Sequence, residues 1–513
     1  MSWYTVPYKG EDVEHIPGLH VVNQGTTIKA TFDALAALAL RNQKFETPPR
    51  KQTLGAIKPE GLHTDARLRD YQKAGTSIVV NRLRTDGGAI LADDMGLGKT
   101  LQTYAIWDAL NRPYPLLVIA PASVRRGWVK EAEKWLGVKA RLVETGKQAE
   151  NTMPNEGVVI TSYELVGKLP LSFVPHMVVI DEMHLMRGRR TKRGDAILER
   201  TRCASYRLAL SGTPMWGRPK DLWMPLKALF PDYRFGTADA FDYAYCAAFV
   251  NKWGGKENKG VSRSDELKER LGYVMLRRTK GSVGDQLPSL TRTIRWVPAE
   301  KKATQALQAF ALGQLRLTDA IEATLQEKLE PVVDAVTECE GHAIVFTWQK
   351  KDVFKLEQLI EDEGFKVVAI TGEMTHAQRA AAVEQAKKDQ CCVVATIDST
   401  GTGVDGLQHV ASTVIFHALD YTPIKMAQAE SRAHRLGQSK GVTALYFAME
   451  NSADRLIIEK VVDKLDAWRE TMGKDQTADM NDVMSAPQTA EMEAKAIQDI
   501  YDSLQDAPEG DDE

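Results

Sequence analysis

The sequence has few cysteines and no long hydrophobic run. Its five cysteines, in 513 residues, include no pair at the spacing of zinc ligands, and we expect buried thiols in a reducing compartment. No stretch approaches the ~18 apolar residues of a transmembrane helix, and the first residues lack the basic-then-apolar order of a signal peptide. These absences argue against a zinc module, a membrane protein and a secreted protein. We therefore expect an intracellular protein, either cytoplasmic or at the nucleoid or nucleus.

The overall composition is that of a globular protein, but the charge is unevenly distributed. Hydrophobic residues make up 43% and charged residues 26%, and the formal net charge is −3. The segment from Asp475 to Glu513 contains twelve acidic residues and a single lysine, so the residues before it are net basic. A basic body is compatible with binding phosphates. We expect the acidic tail to be disordered or partly helical.

Short apolar runs alternate with helix-like stretches in two series. The first series is GGAILADDMG, PLLVIAPAS, GVVITSYE, HMVVIDEMH and YRLALSGTP. The second is HAIVFTWQK, FKVVAITGE, CCVVATIDST, STVIFHALD and VTALYFAME. This alternation is typical of parallel strands joined by crossover helices, and the stretch between the series is mostly helical in pattern. The sequence therefore predicts an α/β protein with two lobes.

The segment LADDMGLGKT, Leu91–Thr100, ends like a phosphate-binding loop. It joins a predicted strand to a predicted helix, so backbone N–H groups would face phosphates, Lys99 would reach the β and γ groups, and the Thr100 hydroxyl would hold Mg²⁺. Asp93 stands where the usual first glycine would be, and a chance Gly-Lys-Thr at a helix start is the alternative. The predicted nucleotide-binding residues of the loop are Asp94, Met95, Gly96, Leu97, Gly98, Lys99 and Thr100.

Two further strand ends in the first series carry polar residues. In MVVIDEMH the strand delivers Asp181, which can hold Mg²⁺ through water, and Glu182, which can orient and deprotonate the attacking water. The alternative is a surface Asp-Glu pair that opens a loop. In LALSGTP the strand ends at small hydroxyl residues, and we interpret Ser211 and Thr213 as sensors of nucleotide state that couple the lobes. A simple turn is the alternative there.

These segments, in this order, resemble the Swi/Snf-type family of superfamily 2 helicases and translocases. The resemblance covers about residues 64–470. LRDYQKAG is similar to the family's segment before the P-loop, which puts Gln72 at the position of its adenine-reading glutamine. The family's P-loop commonly begins with Asp, as DDMGLGKT does. The stretch from YCAAFVNKWGGKENKGVS to VMLRRTK is most similar to the annealing-helicase branch.

The resemblance also implies contacts with nucleic acid. LLVIAPASVRRGWVKEAEKW and TSYE are similar to family motifs that contact the backbone, and RGRRTKRG (Arg187–Gly194) fits a position that is usually Lys/Arg-rich. That last segment is otherwise a solvated charge run. Trp128 either stacks on a base or packs in the core. The predicted DNA-binding residues are Pro121, Ser123, Arg125, Thr161, Ser162 and Thr396.

The second series carries the positive charge that hydrolysis needs opposite the P-loop lysine. QAESRAHRLGQ contains Arg432 and Arg435, and arginines three apart lie on one helical face. The segment resembles the family's last motif, whose arginines complete the ATP site when the lobes close, and Gln428 belongs to the same coupling motif. An amphipathic surface helix is the alternative.

The preceding segment, STGTGVDGLQHV, departs from the family's pattern. We assign Gly403 and Asp405 within it to the nucleotide site.

The resemblance implies two tandem RecA-like lobes, each a parallel sheet flanked by helices, with helical insertions. The predicted domains are an N-terminal region of unknown role at 1–63, an ATP-binding lobe at 64–275 with a helical insertion at about 215–273, a lobe junction with a helical insertion at 276–340, a helicase C-terminal lobe at 341–470 and an acidic tail at 471–513.

The leading interpretation is an ATP- and Mg²⁺-dependent translocase that moves on duplex or branched DNA and remodels DNA or protein–DNA complexes. A strand-separating DNA or RNA helicase is an alternative, and a DNA-binding scaffold without hydrolysis is another. The scaffold is disfavoured by the intact residues Lys99, Asp181, Glu182, Arg432 and Arg435. The acidic tail either binds a basic partner protein or restrains the basic DNA track.

Overall fold

The computed structural model describes the three strands at 3–7, 19–22 and 27–31, and residues 68–472 with short gaps. The gaps are residues 154, 156, 187, 189–190, 216–217, 232–233, 252–254, 259, 280, 284–287, 300, 399–405 and 436. The chain divides into two compact units, and the boundary lies between Gly284 and Asp285, with Ala467–Gly473 assigned to the first. The acidic tail from residue 473 onward lies outside the described residues.

The N-terminal strands form a small antiparallel sheet in the order β1-β3-β2. They are β1 (Trp3–Pro7), β2 (Leu19–Val22) and β3 (Thr27–Thr31). The sequence predicted no strand here. Within the described ranges, no helix has the length and apolar character that crossing a bilayer requires.

Unit 1 is built on a seven-stranded parallel sheet in the order β12-β4-β9-β8-β5-β7-β6, with a separate hairpin of β10 and β11. Its strands are β4 (Gly88–Leu91), β5 (Leu116–Ile119), β6 (Arg141–Leu142), β7 (Val158–Thr161), β8 (Met177–Asp181), β9 (Tyr206–Leu210), β10 (Ala248–Val250), β11 (Lys256–Asn258) and β12 (Met275–Leu276). Its helices are α1 (Asp70–Asp86), α2 (Lys99–Ala109), α3 (Arg125–Leu136), α4 (Gly146–Glu150), α5 (Lys192–Arg202), α6 (Trp223–Leu229), α7 (Ala238–Tyr245) and α8 (Ser264–Val274).

The central strands of this sheet are buried along their whole length. β5 reads LLVI and β7 reads VVIT, and every residue of both is buried. Continuous apolar runs of this kind are expected where helices cover both faces of a parallel sheet. The amphipathic helix α3 buries Trp128, Ala132 and Leu136 at four-residue spacing, which directs one face toward the core.

Unit 2 contains a six-stranded parallel sheet in the order β13-β18-β17-β14-β16-β15. Its strands are β13 (Leu290–Val297), β14 (Ala343–Thr347), β15 (Val367–Ile370), β16 (Cys392–Thr396), β17 (Thr413–Phe416) and β18 (Val442–Met449). Its helices are α9 (Lys301–Ala311), α10 (Leu317–Glu327), α11 (Leu329–Glu338), α12 (Lys350–Asp362), α13 (His376–Asp389), α14 (Pro423–Ala433) and the part of α15 (Ala453–Met472) that precedes Ala467.

The two predicted series of parallel strands are confirmed, and the structure adds elements that the sequence did not reveal. The stretch 215–273 was predicted to be mostly helical, but it also contains the β10–β11 hairpin. The edge strand β13, LTRTIRWV, pairs with β18 over eight residues. It contains the polar run Thr291–Thr293 and a further arginine, Arg295, so it lacks the apolar run by which the other strands were recognised. The predicted domain boundaries stay predictions.

An ion pair lies in the core of unit 2. Lys328 and Asp454 are both almost completely buried, and Nζ lies 2.7 Å from Oδ2 of Asp454 and 3.0 Å from the carbonyl oxygen of Phe447. The backbone N–H of Met449 donates to the same carboxylate oxygen at 3.0 Å. Each buried charge is therefore compensated by the other, and the loss of one would leave the other unpaired.

Removal of the lysine should destabilise unit 2. We expect Lys328→Met to lower the free energy of unfolding by about 3 kcal/mol or more, because the Asp454 carboxylate stays buried without its cation. Urea unfolding followed by circular dichroism measures this.

The matched control is Lys351→Met. Lys351 pairs with Glu322, and both side chains are about half exposed, at 48% and 45%. Its loss should change the free energy of unfolding by less than about 1 kcal/mol. Equal stability of the two variants would contradict a structural role for the buried pair.

Candidate active site

The loop between β4 and α2 is shaped by two glycines in the left-handed region, with φ of 88° at Gly96 and 74° at Gly98. A Cβ at Gly98 would lie 2.5 Å from Nε2 of Gln72, so this position has no room for a side chain. Lys99 begins α2, and its ammonium group donates to the carbonyl oxygens of Asp93 at 2.7 Å and Asp94 at 3.2 Å. The lysine therefore folds back over the loop that precedes it.

Asp93, at the position of the missing glycine, is completely buried and paired with Arg278. Nε of Arg278 donates to Oδ1 of Asp93 at 2.9 Å, and its Nη2 contacts Oδ2. Gln102 joins them: it donates to Oδ2 of Asp93 at 3.0 Å and accepts from Arg278 at 2.7 Å. A buried carboxylate requires such compensation. Asp93 is compatible with this loop because a guanidinium 185 residues later neutralises it.

Arg278 also holds the segment before the P-loop. Its Nη1 contacts the carbonyl oxygen of Tyr71, and its guanidinium lies over the Tyr71 ring at 5.2 Å from the centroid. A Cβ at Gly75, in the middle of α1, would lie 2.4 Å from Nη2 of Arg278. The glycine thus leaves space on the helix for the guanidinium.

Gln72, predicted to read adenine, contacts the P-loop itself. It is 5% exposed, and Nε2 donates to the carbonyl oxygen of Leu97 at 3.1 Å. The same oxygen accepts from the Tyr71 hydroxyl at 3.2 Å and from Gln102 at 3.2 Å. Three donors on one carbonyl fix the conformation of the loop at Leu97.

The carboxylate of Asp181 is held at the end of β8. Trp128 donates its indole N–H to Oδ2 at 2.9 Å, and the backbone N–H of Glu182 donates to Oδ1 at 3.0 Å. Burial raises the pKa of Asp181 to about 7, with a further increase from Glu182, whereas the Trp128 hydrogen bond and Lys99 act in the opposite direction. A cation at this carboxylate would favour its ionised form. Of the two interpretations of Trp128, the structure has the core residue, 2% exposed.

Glu182 is contacted by the serine that follows β9 and by a histidine of its own turn. The Ser211 hydroxyl donates to Oε2 at 3.4 Å, and Nδ1 of His184 lies 3.3 Å from Oε2 and 3.1 Å from the Ser211 Oγ. The backbone N–H of Thr213 donates to the Ser211 hydroxyl at 3.0 Å. Of the predicted coupling residues, Ser211 therefore contacts the predicted general base directly, and Thr213 contacts Ser211.

The loop after β9 also packs against the P-loop. A Cβ at Gly212 would lie 2.6 Å from Cγ of Met95 and 3.4 Å from Nζ of Lys99. The carboxyl ends of β4, β8 and β9 thus bring Lys99, Asp181, Glu182 and Ser211 to one edge of the sheet.

This edge fits a nucleotide with Mg²⁺. It has a loop with two glycines in the left-handed region, a lysine at its end, and the Thr100 hydroxyl and Asp181 carboxylate as oxygen ligands for a metal ion. The described residues contain no group of three or more His, Cys, Asp or Glu side chains that would hold a metal ion without phosphate. Mg²⁺ commonly takes one or two protein oxygens and completes its shell with phosphate and water.

The predicted DNA contacts of unit 1 cluster at the same edge, after β5 and at the end of β7. Thr161 is completely buried, Ser162 is 2% exposed and Arg125 is 9% exposed, whereas Pro121 and Ser123 are partly buried.

Arg125 forms hydrogen bonds within unit 1. Its Nε donates to the carbonyl oxygen of Ala122 at 3.3 Å and its Nη1 contacts that of Val143, so the guanidinium is engaged inside the unit. Burial lowers its pKa. Arg125 thus orders the start of α3, and its contact with DNA stays a prediction.

In unit 2, Thr396 ends β16 and is 7% exposed, and Gln428 and Arg432 lie partly buried on α14. The expectation that Arg432 and Arg435 share a helical face is wrong, because α14 ends at Ala433. The ring of His434 lies 2.7 Å from the carbonyl oxygen of Pro288 and the chain turns there, so Arg435 follows the helix.

An ion pair that sequence reasoning missed fixes α14. Arg292 of β13 forms a two-pronged contact with Glu430, with Nε–Oε1 and Nη2–Oε2 distances of 2.8 Å, and the Tyr446 hydroxyl also contacts Oε1. Arg292 and Glu430 are 3% and 1% exposed. The helix that carries Arg432 is therefore fixed to β13 through the buried carboxylate of Glu430, whose charge Arg292 neutralises.

Gly403 and Asp405 lie outside the described residues, as do Arg187, Arg189 and Arg190 of the basic loop. Their predicted roles stay predictions.

Sequence reasoning also missed Arg278 and His184 as members of the site. One signal was available: an Asp in place of a P-loop glycine requires a cationic partner if it is buried.

The Asp93–Arg278 pair predicts that restoring the common glycine is harmful. We expect Asp93→Gly to destabilise unit 1 by about 3 kcal/mol, because Arg278 would lose the carboxylate with which it forms its buried ion pair. Thermal unfolding measures this. The double variant Asp93→Gly with Arg278→Leu should be less destabilised than the sum of the single variants. A fully stable Asp93→Gly variant would contradict the role of the pair.

Comparison with known proteins gives two family matches. The SNF2-related domain matches residues 71–344, and the helicase conserved C-terminal domain matches residues 327–437. The first match alone covers more than half of the chain.

Curated relatives and solved structures were also found. The mouse protein named DNA annealing helicase and endonuclease ZRANB3 is 30% identical over 436 residues, which are 78% of this chain and 40% of that protein. The Xenopus laevis SWI/SNF-related matrix-associated actin-dependent regulator of chromatin subfamily A-like protein 1 is 28% identical over 458 residues, 82% of this chain and 47% of that protein. This chain thus spans less than half the length of these relatives. A Sulfolobus solfataricus SWI2/SNF2 ATPase core in complex with dsDNA is 22% identical, with a TM-score of 0.42 and coverage of 85% of this chain and 98% of that chain.

The family matches agree with the motif order in the sequence and with the residues gathered at the edge of the unit 1 sheet. The chain belongs to the SNF2-related family of superfamily 2 helicase-like ATPases.

Proposed function

We propose that this protein is an ATP-dependent translocase that moves on duplex or branched DNA. The observation that carries the proposal is the convergence of Lys99, Asp181, Glu182 and Ser211 at one edge of the unit 1 sheet, next to the segments with the predicted DNA contacts. The proposed sites of hydrolysis and of nucleic-acid contact would thereby be adjacent in one unit.

The residues of unit 1 divide the work of hydrolysis. Lys99 would exchange its loop carbonyls for the β- and γ-phosphates, and Thr100 and Asp181 would hold Mg²⁺, which neutralises phosphate charge when bound. Glu182 would orient and deprotonate the attacking water, because its carboxylate is held by Ser211 and His184. Movement at Ser211 would therefore reach the general base through one hydrogen bond.

Unit 2 would supply the remaining charge. We assign Arg432 and Arg435 to the developing charge on the γ-phosphate, and Gln428, with Thr213, to coupling between the two units. The Arg292–Glu430 pair supports this assignment, because it orients the helix that carries Gln428 and Arg432. Gln72, Gly403 and Asp405 are assigned to the nucleotide on the strength of the family motifs alone.

The nucleic-acid contacts would be made to the phosphate backbone, which makes the motor largely independent of sequence and sensitive to salt. The candidates are Pro121, Ser123, Arg125, Thr161, Ser162 and Thr396, and Arg125 also orders the start of α3. A relative named as a DNA annealing helicase favours DNA as the substrate class, and we include branched DNA in the proposal. A DNA translocase would act in the compartment that holds the DNA. The acidic tail is a candidate contact for a basic partner protein.

The test is steady-state ATP hydrolysis by the full chain, alone and with linear duplex DNA, fork DNA, single-stranded DNA or RNA. We expect stimulation by duplex and fork DNA. Stimulation by single strands or RNA alone would favour a strand-separating helicase, and no stimulation by any nucleic acid would refute the proposal.

Glu182→Gln should lower kcat by at least about 100-fold, because the amide cannot accept the proton of the attacking water. ATP binding, measured with a fluorescent analogue, should be retained. Glu199→Gln is the matched control, since Glu199 is exposed on α5, and it should keep full activity. Equal kcat values for the two variants would exclude Glu182 as the general base.

A further inference from the structure

Tyr163, the tyrosine of TSYE, lies two residues beyond the end of β7 and is 2% exposed. Its hydroxyl donates to the carbonyl oxygen of Asp181 at 2.7 Å and lies 3.1 Å from that of Glu182. One side chain thus contacts the two consecutive carbonyl groups that flank the Cα of Glu182.

This contact crosses the sheet. β7 and β8 are not neighbours, because β5 lies between them and pairs with both. The Tyr163 side chain therefore passes the end of β5 to reach the turn after β8. Apart from the strand ladders, it is a direct connection between the TSYE segment and the Asp181–Glu182 turn.

Glu182 has a conformation that needs such support. Its φ is 53°, in the left-handed region. For a residue other than glycine this conformation is unfavourable in free energy, and it persists only where the surrounding structure holds it. The hydroxyl of Tyr163 fixes the carbonyl groups on both sides of this residue, while Ser211 and His184 contact its carboxylate. The direction of the Glu182 side chain therefore depends on where the Tyr163 hydroxyl lies.

The other end of the connection is the predicted nucleic-acid contact. Thr161 and Ser162 immediately precede Tyr163, and the Thr161 carbonyl accepts from the backbone N–H of Ala120 at 3.0 Å, which joins it to the segment after β5. Arg193, from the basic segment after β8, lies over the Tyr163 ring at 5.9 Å and pairs with Glu164 at 3.0 Å. Three of the predicted contact segments thus meet around this tyrosine.

We propose that Tyr163 is a positioning residue that transmits engagement of nucleic acid at Thr161–Ser162 to the carboxylate of Glu182. The inference rests on the proposed function, because it requires that DNA stimulates hydrolysis. A shift of the TSYE backbone on DNA moves the hydroxyl, the hydroxyl moves the carbonyl groups of Asp181 and Glu182, and the general base becomes aligned with its water.

The test is Tyr163→Phe in the full chain, which removes the hydroxyl and keeps the ring. We expect kcat with saturating linear duplex DNA to fall about tenfold, since small displacements of a catalytic group have effects of this size or larger. The basal kcat without DNA should fall by clearly less than the stimulated kcat, so that the ratio of stimulated to basal kcat falls, and the KM for ATP and the Kd for the duplex should each change by less than about twofold.

Tyr245→Phe is the matched control. Tyr245 is also completely buried in unit 1, and its hydroxyl donates to Glu266 at 2.9 Å in the helical insertion. It removes a buried hydroxyl of the same kind and should leave the ratio of stimulated to basal kcat unchanged. Thermal unfolding of both variants checks that each is folded.

An unchanged stimulated kcat in Tyr163→Phe would overturn the proposal. An equal fall in basal and stimulated kcat would also overturn it, because the hydroxyl would then support Glu182 without carrying any signal. If no nucleic acid stimulates ATP hydrolysis by the unaltered protein, both the proposed function and this inference are refuted. Stimulation of the unaltered protein, together with an intact ratio in Tyr163→Phe, would refute the inference alone.

Discussion

Parallel pairing of the unit 1 strands is the constraint on which the candidate site depends. Because the strands of this sheet run in one direction, their carboxyl ends meet at one edge. The strands β4, β8 and β9 place the lysine, the two acidic residues and the serine there, and β5 and β7, which flank β8 on one side, place the predicted DNA contacts beside them. Side chains from distant parts of the chain thus lie close together at the strand ends. The loops that carry them are short, so their relative positions have little freedom.

Compensation of buried charge accounts for the details that depart from simple motifs. Asp93 is compatible with a P-loop because Arg278 and Gln102 surround it. Glu430 occurs in the middle of the arginine motif and faces Arg292 in the interior, away from any nucleotide role. Both are carboxylates whose partners come from distant parts of the chain. Each ion pair fixes a segment that also carries residues proposed to act in catalysis. Asp93 is in the same loop as Lys99, and Glu430 is on the same helix as Arg432.

Much of this could be predicted from sequence because it depends on local pattern. Apolar runs such as VVIT and MVVID identify buried parallel strands, and polar residues at their ends identify the site. The Asp93–Arg278 pair could not be located, because nothing local shows which of many arginines returns to the loop. The edge strand β13 was missed because alternating Thr and Arg hide its pairing. Arg435 was predicted to lie on the helix because sequence periodicity does not reveal that the helix ends at Ala433, where the His434 ring contacts the carbonyl oxygen of Pro288.

The central claim, that hydrolysis drives movement along DNA, is tested most directly by displacement of a third strand. A fluorescent triplex-forming oligonucleotide is bound to one end of a linear duplex, and its release is followed after the protein and ATP are added. The account predicts release that requires ATP hydrolysis and leaves the duplex strands paired. Retention of the third strand while duplex DNA stimulates hydrolysis would contradict it, because the ATPase would then turn over without moving along its track.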